Sequence, residues 1–378
     1  MSSNKALLFI SCVLCFGMCV NSQIVRGTIV DSETKQPLES VSVFFDNTTI
    51  GTATDKSGKF TIRYYDAIQS GLVISYLGYE KVIINNYRDL PLVKVELRPA
   101  VDELEEVLIV SKDELSRKKK LALFRKEFLG RSENASSCKI KNEKTIRLRY
   151  NNTTKTLVAF SKQPIIIENK RLNYEISYDI SDFEILFNKN TNPKEDYFKT
   201  DMISFSGNMF FKDLNNDDST KKKKKKSNKV LEIRKSVYTK SIQRFMRALY
   251  LEDYESNGYV FNIPNQGGFL VDPHEYIKIK DLENTGIKEV SIKESPIQIN
   301  FVQDDSQSTS NINFSQAMDK AITGKVFTLQ SILTMKTDKF YVDKYGNYTP
   351  VSNVLFSGDM GNNRIADMLP SDYGLRED

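Results

Sequence analysis

His274 is the only histidine in this 378-residue chain. Zinc hydrolases hold their metal with three protein ligands, typically two histidines and a carboxylate, and keep one position open for water. The stretch Asp272-Pro273-His274-Glu275-Tyr276 offers no second imidazole, so zinc-carboxypeptidase chemistry is not expected. A lone histidine could still serve in a triad, or pair with Cys138, because such groups assemble in space and not along the chain. No G-x-S-x-G elbow and no activating sequence around Cys138 supports this. His274 therefore reads as a surface residue in a turn.

Asp213, Asn215 and Asp217 have the spacing of the first three ligands of an EF-hand loop. Asp218 stands where that loop needs glycine, and Lys224 where it needs glutamate. The run Lys221, Lys222, Lys223, Lys224, Lys225 and Lys226 would repel a cation. It reads as the tip of a disordered hairpin loop, with peripheral contact to an anionic surface such as lipopolysaccharide as the functional alternative. Neither a Walker sequence nor G-x-G-x-x-G is present. No catalytic, cofactor-binding or metal-binding residue is assigned at this level. Carboxylates are too numerous to rank. A concave pocket with two carboxyls about 5–10 Å apart would point to a glycosidase, and a shallow surface to a binding module.

The chain is long enough for two or three domains, and its net charge of +5 is too mild to signal a polyanion partner. Residues 1–22 read as a secretory signal peptide: Lys5, an apolar run from Ala6 to Val20, then Asn21-Ser22. Lipidation at Cys19 is the alternative, although Met18 stands where a small residue is preferred. No other segment is long and apolar enough for a membrane helix. Cleavage after Ser22 leaves Cys138 as the sole cysteine, so no internal disulfide forms, and Cys138 reads as a small buried hydrophobe.

Strand-type alternation fills residues 23–98. Val41, Val43 and Phe45 share one face opposite Ser42 and Phe44. Phe60, Ile62 and Tyr64, then Leu72, Ile74 and Tyr76, then Val93, Val95 and Leu97 repeat the pattern. Asp55-Lys56-Ser57-Gly58 supplies a turn. The blocks Val25-Arg26-Gly27-Thr28-Ile29-Val30-Asp31, Pro37-Leu38-Glu39-Ser40-Val41, Gly51-Thr52-Ala53-Thr54-Asp55, Gly58-Lys59-Phe60 and Ser75-Tyr76-Leu77-Gly78-Tyr79-Glu80 resemble the carboxypeptidase-D regulatory-like domain. The resemblance implies a seven-stranded transthyretin-like β-sandwich without catalytic residues.

Residues 99–130 read as a linker strand and a basic amphipathic helix. Asp102 to Val110 is similar to the TonB box of outer-membrane receptors, and packing of a linker strand on the sandwich is the preferred reading. Leu121, Phe124 and Phe128 lie at helical spacing, and Gly130 can end the helix. Residues 131–378 are expected to form a larger strand-rich α+β domain. Its strands are expected at 145–150 and 156–160 around Asn151-Asn152, at 164–167 and 172–187, and at 289–292, 297–302, 326–334 and 339–342. Ser236 to Leu251 reads as one amphipathic helix on the stripe Ile242, Phe245, Met246 and Leu249. Helix, polar loops and the non-aromatic end argue against an outer-membrane barrel.

Phe128-Leu129-Gly130-Arg131-Ser132-Glu133-Asn134-Ala135, Ile167-Glu168-Asn169-Lys170, Tyr174-Glu175-Ile176-Ser177-Tyr178 and Arg364-Ile365-Ala366-Asp367-Met368-Leu369-Pro370 resemble blocks of a Bacteroidetes family that joins such a domain to the regulatory-like sandwich. That family carries no assigned reaction. The expectation is an exported envelope protein, in the periplasm, at the outer membrane or on the cell surface. It would act without catalysis as a binding or assembly module for a protein or glycan. An envelope enzyme with a carboxylate site in residues 131–378, or a TonB-linked accessory protein, remain the alternatives.

Overall fold

The computed structural model describes residues 23–100, 115–192, 198–214, 221–264, 270–283, 285–301 and 329–375. For residues 221–226 it describes the backbone alone. The signal-peptide reading, Cys19 and the segment Asp102–Val110 lie outside the described residues. The chain divides into two compact units between Glu105 and Glu106.

The first unit is built from β1 (Gln23–Asp31), β2 (Ser42–Phe45), β3 (Gly51–Ala53), β4 (Lys59–Tyr64), β5 (Leu72–Ser75), β6 (Val82–Ile84) and β7 (Val93–Leu97). They form two sheets, β4-β1-β7 and β3-β2-β5-β6, which gives the seven strands expected. β1 runs antiparallel to β4, with Val25 opposite Ile62, and parallel to β7, with Ile29 opposite Val95. The inward alternation follows the sequence: Val41, Val43, Phe45, Leu72, Ile74 and Leu97 are fully buried. Each such side chain stabilises the fold by about 1.5–3 kcal/mol relative to leaving it exposed. One detail departs from the alternation. Phe44 and Val73, register partners on the opposite face, are buried too, so this sheet is apolar on both sides at that point.

Two turns are held by carboxylates. The Asp55 carboxylate accepts from the backbone N–H of Ser57 and of Lys59. Gly58 closes that turn at φ +70°, and a Cβ there would lie 2.4 Å from the Ile29 carbonyl oxygen, so glycine is required. Asp31 accepts from the backbone N–H groups of Glu33 and Thr34 and from the Tyr79 hydroxyl.

The second unit contains two hydrophobic cores. The first lies against a six-stranded sheet of β8 (Cys138–Ile140), β9 (Arg147–Asn151), β10 (Thr156–Phe160), β11 (Ile165–Asn169), β12 (Tyr174–Phe187) and β13 (Thr200–Asp213). The order is β8-β11-β12-β10-β9, with β13 also paired to β12. The expected hairpin is present, with Tyr150 opposite Leu157. On β12 the expected face of Tyr174, Ile176, Tyr178 and Ile180 is buried. A register shift between Ile180 and Asp182 then moves burial to Phe183, Ile185 and Phe187. One inserted residue keeps the strand's apolar side on the core while reversing its sequence parity.

Helix α1 (Arg117–Phe128) covers this core. The Ser116 side chain caps its start by accepting from Lys119 N–H. Phe124 and Phe128 stack with ring centroids 4.8 Å apart, and Phe124 meets Phe183 at 4.8 Å. Gly130, at φ +98°, follows the helix end, and the short helix α2 (Glu133–Ser137) comes next.

The lysine run is not a loop. Its backbone opens helix α3 (Lys221–Thr239). Lysine is a good helix former, and the helix is anchored further on by buried Val230 and Arg234. Nor is 236–251 one helix. α3 ends at Thr239, and α4 (Ile242–Leu251) starts afresh, because the Ser241 hydroxyl accepts from Arg244 N–H and caps the second helix.

α4 buries Phe245, Met246 and Leu249 in the second core. Around it lie β14 (Tyr259–Asn262), β15 (Leu270–Val271), the short helix α5 (Pro273–Tyr276), β16 (Ile277–Leu282), β17 (Ile287–Ile292), β18 (Ile297–Phe301), β19 (Leu329–Met335), β20 (Phe340–Asp343), β21 (Tyr348–Thr349) and β22 (Val354–Ser357). The sheet orders are β15-β14-β18-β19-β22 and β16-β17-β20-β21. Helix α6 (Gly358–Gly361) and a 3-10 turn, Ile365–Asp367, follow. Among the described residues no helix is long and apolar enough to cross a membrane.

Candidate functional site

Three of the four sequence blocks singled out in the second unit, those around Ser132, Asn169 and Asp367, meet at one place. Ser132 Oγ and Asn134 Nδ2 donate to the same Asp367 oxygen, at 2.9 and 2.8 Å. Asn134 Oδ1 accepts from Arg171 Nε at 2.9 Å, and Arg171 pairs with Glu133 at 2.9 Å. Asn169 Nδ2 donates to the Ala366 carbonyl at 2.9 Å, and Ala366 N–H donates to the Leu129 carbonyl at 3.3 Å. Asn169 Oδ1 also accepts from Leu172 N–H. Helix end, strand end and C-terminal turn are thus stitched together by amides and one carboxylate.

Local sequence explains the positions. Ser132 caps α2 by accepting from Ala135 N–H, so its hydroxyl is held at the helix start. Gly130 gives the left-handed turn between α1 and α2. A Cβ on Gly130 would stand 3.1 Å from Arg364 Cβ, so glycine also lets the Arg364 stem come close.

Beside this junction opens a cleft of about 710 Å³. Among the described residues four carboxylates line it: Glu127, Glu133, Asp359 and Asp367. Each has a fixed donor. Glu127 accepts from Arg131 and from the Thr200 hydroxyl, both at 3.1 Å. Glu133 is held by Arg171, Asp359 accepts from Gln330 N–H at 2.7 Å, and Asp367 serves Ser132 and Asn134. A glycosidase acid needs a carboxyl kept protonated, as in an apolar pocket. Here the lining is polar and carries both charges, and each carboxylate accepts a hydrogen bond or pairs with a cation.

The remaining sequence candidates do not join this cleft. His274 is exposed on α5, its backbone N–H bonded to Asp272 and its ring 5.4 Å from that of Tyr254. Cys138 packs against the first core. Burial, reinforced by the charge of Asp367, pushes its thiol up to about 12, so it is neither thiolate nor nucleophile near neutrality. Asp213 ends β13 and pairs with buried Arg234 at 2.7 Å, while Asn215 and Asp217 lie outside the described residues. Among the described residues no group of three or more His, Cys, Asp and Glu side chains is placed to hold a metal ion.

Residues 25–109 match the family model of the CarboxypepD_reg-like domain. No curated protein matches the chain. The CarboxypepD_reg-like domain is a non-catalytic β-sandwich module, and the match runs from β1 past β7 to Ile109. The cleft lies outside it. The residues sequence reasoning missed are those outside the resembling blocks, among them Glu127, Asp359 and Lys240. They come from three distant segments, and no local spacing links them.

Proposed function

We propose that this chain is an exported cell-envelope protein that works without catalysis as a binding module for a protein or glycan partner. The cleft beside α2 would be its recognition site. The observation that carries this reading is the commitment of all four cleft carboxylates to fixed donors. Such a lining presents hydrogen-bonding groups in set positions, which suits recognition. The non-catalytic family match of residues 25–109 supports the same reading. The apolar run Ala6–Val20 supports export.

The test is fractionation of the tagged protein from its native cells, followed by pull-down with two baits. One bait is the natural chain, and the other carries Asn362→Trp, which fills the cleft from an exposed position. Recovery in the envelope fraction is expected, with a partner captured by the first bait and lost with the second. Recovery only from cytosol defeats the export reading, and equal capture by both baits defeats the cleft.

A further inference from the structure

We infer that the cleft takes an oxyanion, the carboxylate or phosphate of a small polar ligand, held between Arg364 and Lys240. This rests on reading the cleft as a binding site and adds the chemistry of what it binds. The argument begins with charge. Five cationic side chains line the cleft: Lys126, Arg131, Arg171, Lys240 and Arg364. Glu127 takes Arg131 at 3.1 Å and lies 3.9 Å from Lys126. Glu133 takes Arg171. The other two carboxylates, Asp359 and Asp367, are occupied by neutral donors, the Gln330 N–H and the Ser132 and Asn134 side chains. Arg364 and Lys240 are therefore left with no ion pair among the described residues.

Arg364 is also preorganised. It is half-buried, and its Nη1 donates to the carbonyls of Gly361 and Asn363, each at 3.2 Å. Its stem lies over Gly130, where any larger residue would meet Arg364 Cβ and Cγ at 3.1 and 3.4 Å. Nε and Nη2 make no protein hydrogen bond among the described residues. A guanidinium with two donors unused in a concave site is matched best by a planar or tetrahedral oxyanion, which accepts two N–H bonds at once.

The neighbours narrow the ligand further. Asn362 and Asn363 line the same cleft, and their side-chain amides make no hydrogen bond among the described residues, so they are available to hydroxyls or amides beside the anion. Among the described residues no aromatic ring lines the cleft, and its only large apolar side chains are Ile233 and Val237. A ligand recognised chiefly by apolar area or ring stacking would find little there. The volume of about 710 Å³ accommodates a ligand of ordinary metabolite size.

Isothermal titration calorimetry on the full mature chain tests this with three probes: inorganic phosphate, glucuronate and neutral glucose. Binding of phosphate or glucuronate, with glucose silent, is expected, and the stronger of the two identifies the source of the oxyanion. Arg364→Gln should weaken that binding roughly tenfold or more, and Arg364→Lys should restore part of it, since it returns charge without the fork. Lys240→Gln, at an exposed position with no structural partner, should weaken it severalfold while circular dichroism stays unchanged. Lys336→Gln, at an exposed position outside the cleft lining, should change it less than about twofold. Glucose binding as well as glucuronate, or Lys240→Gln and Arg364→Gln both leaving affinity intact, overturns the oxyanion while the binding cleft stands. Silence from all three probes also overturns it, and the pull-down then decides separately whether the cleft has a partner.

Discussion

Asp367→Ala is the sharpest test of how the cleft is held together. The substitution removes the acceptor shared by Ser132 and Asn134. Asn134 is 7% exposed, so its orphaned Nδ2 cannot recover a full water bond, and such a loss costs about 1–3 kcal/mol. The half-buried Ser132 hydroxyl retains partial access to water and keeps its capping bond to Ala135 N–H, which adds about 1 kcal/mol. The total is about 2–4 kcal/mol. Asp367→Asn keeps an acceptor oxygen and should cost only about 1 kcal/mol. Hydrogen exchange read peptide by peptide is the assay, because the two units need not unfold together. For Asp367→Ala, peptides spanning 129–140 and 364–370 should exchange roughly 30- to 700-fold faster under native conditions, with β1–β7 unchanged. A change below about fivefold, or an equal change in β1–β7, would refute the claim that this carboxylate organises the junction.

Three further outcomes are expected. Arg234 is 4% exposed at its side chain, pairs with Asp213, donates Nε to the Leu172 carbonyl and stacks 3.7 Å from the Tyr174 ring centroid. Arg234→Met should therefore cost about 1–3 kcal/mol in urea unfolding, since it removes the donors to Asp213 and to the Leu172 carbonyl; a loss under about 0.5 kcal/mol would contradict this. The Thr34 N–H, then the Tyr79 hydroxyl, hold the Asp31 carboxyl down to about 2. A carboxyl lowered on folding stabilises above its unfolded value, and that contribution disappears as pH falls from about 4 toward 2. Acid titration of the first unit should show this loss, and Asp31→Asn should flatten the curve across that window. Because burial pushes the Cys138 thiol up to about 12, iodoacetamide at pH 8 should modify native Cys138 roughly a thousandfold more slowly than a free cysteine. Equal rates before and after denaturation would argue against its burial.

Much of the fold could be read from alternation. Val43, Phe60, Ile62, Ile74 and Val95 point inward as their spacing demands, since a half-buried antiparallel strand writes its faces at period two. The same rule carries β12 only as far as Ile180, where the bulge shifts parity. β13 escaped notice although it is among the longest strands. It is half-exposed along much of its length, and Gly207 interrupts its pattern. That glycine is there because a Cβ would lie 2.4 Å from the Asp179 carbonyl oxygen and 2.8 Å from the Tyr178 ring. The lysine run has the charge density of a solvated loop, yet lysine is a good helix former and the backbone there is helical. At the cleft, the blocks around Ser132, Asn169 and Asp367 stood out in the sequence. Their convergence did not, because hydrogen bonds between distant segments leave no periodic trace.

The bond from Ser132 to Asp367 joins residues 235 apart in the chain. A polypeptide emerging N-terminal end first, from a ribosome or through a secretion pore, exposes α2 long before its counterpart exists. Such non-local closures come late in folding. Until then the Ser132 and Asn134 donors face water and the cleft has no wall on the α6 side. A partial or nicked copy of the second unit would thus carry most of its sheets yet no complete recognition surface. A ligand of the proposed cleft would thus meet its complete site only in finished molecules.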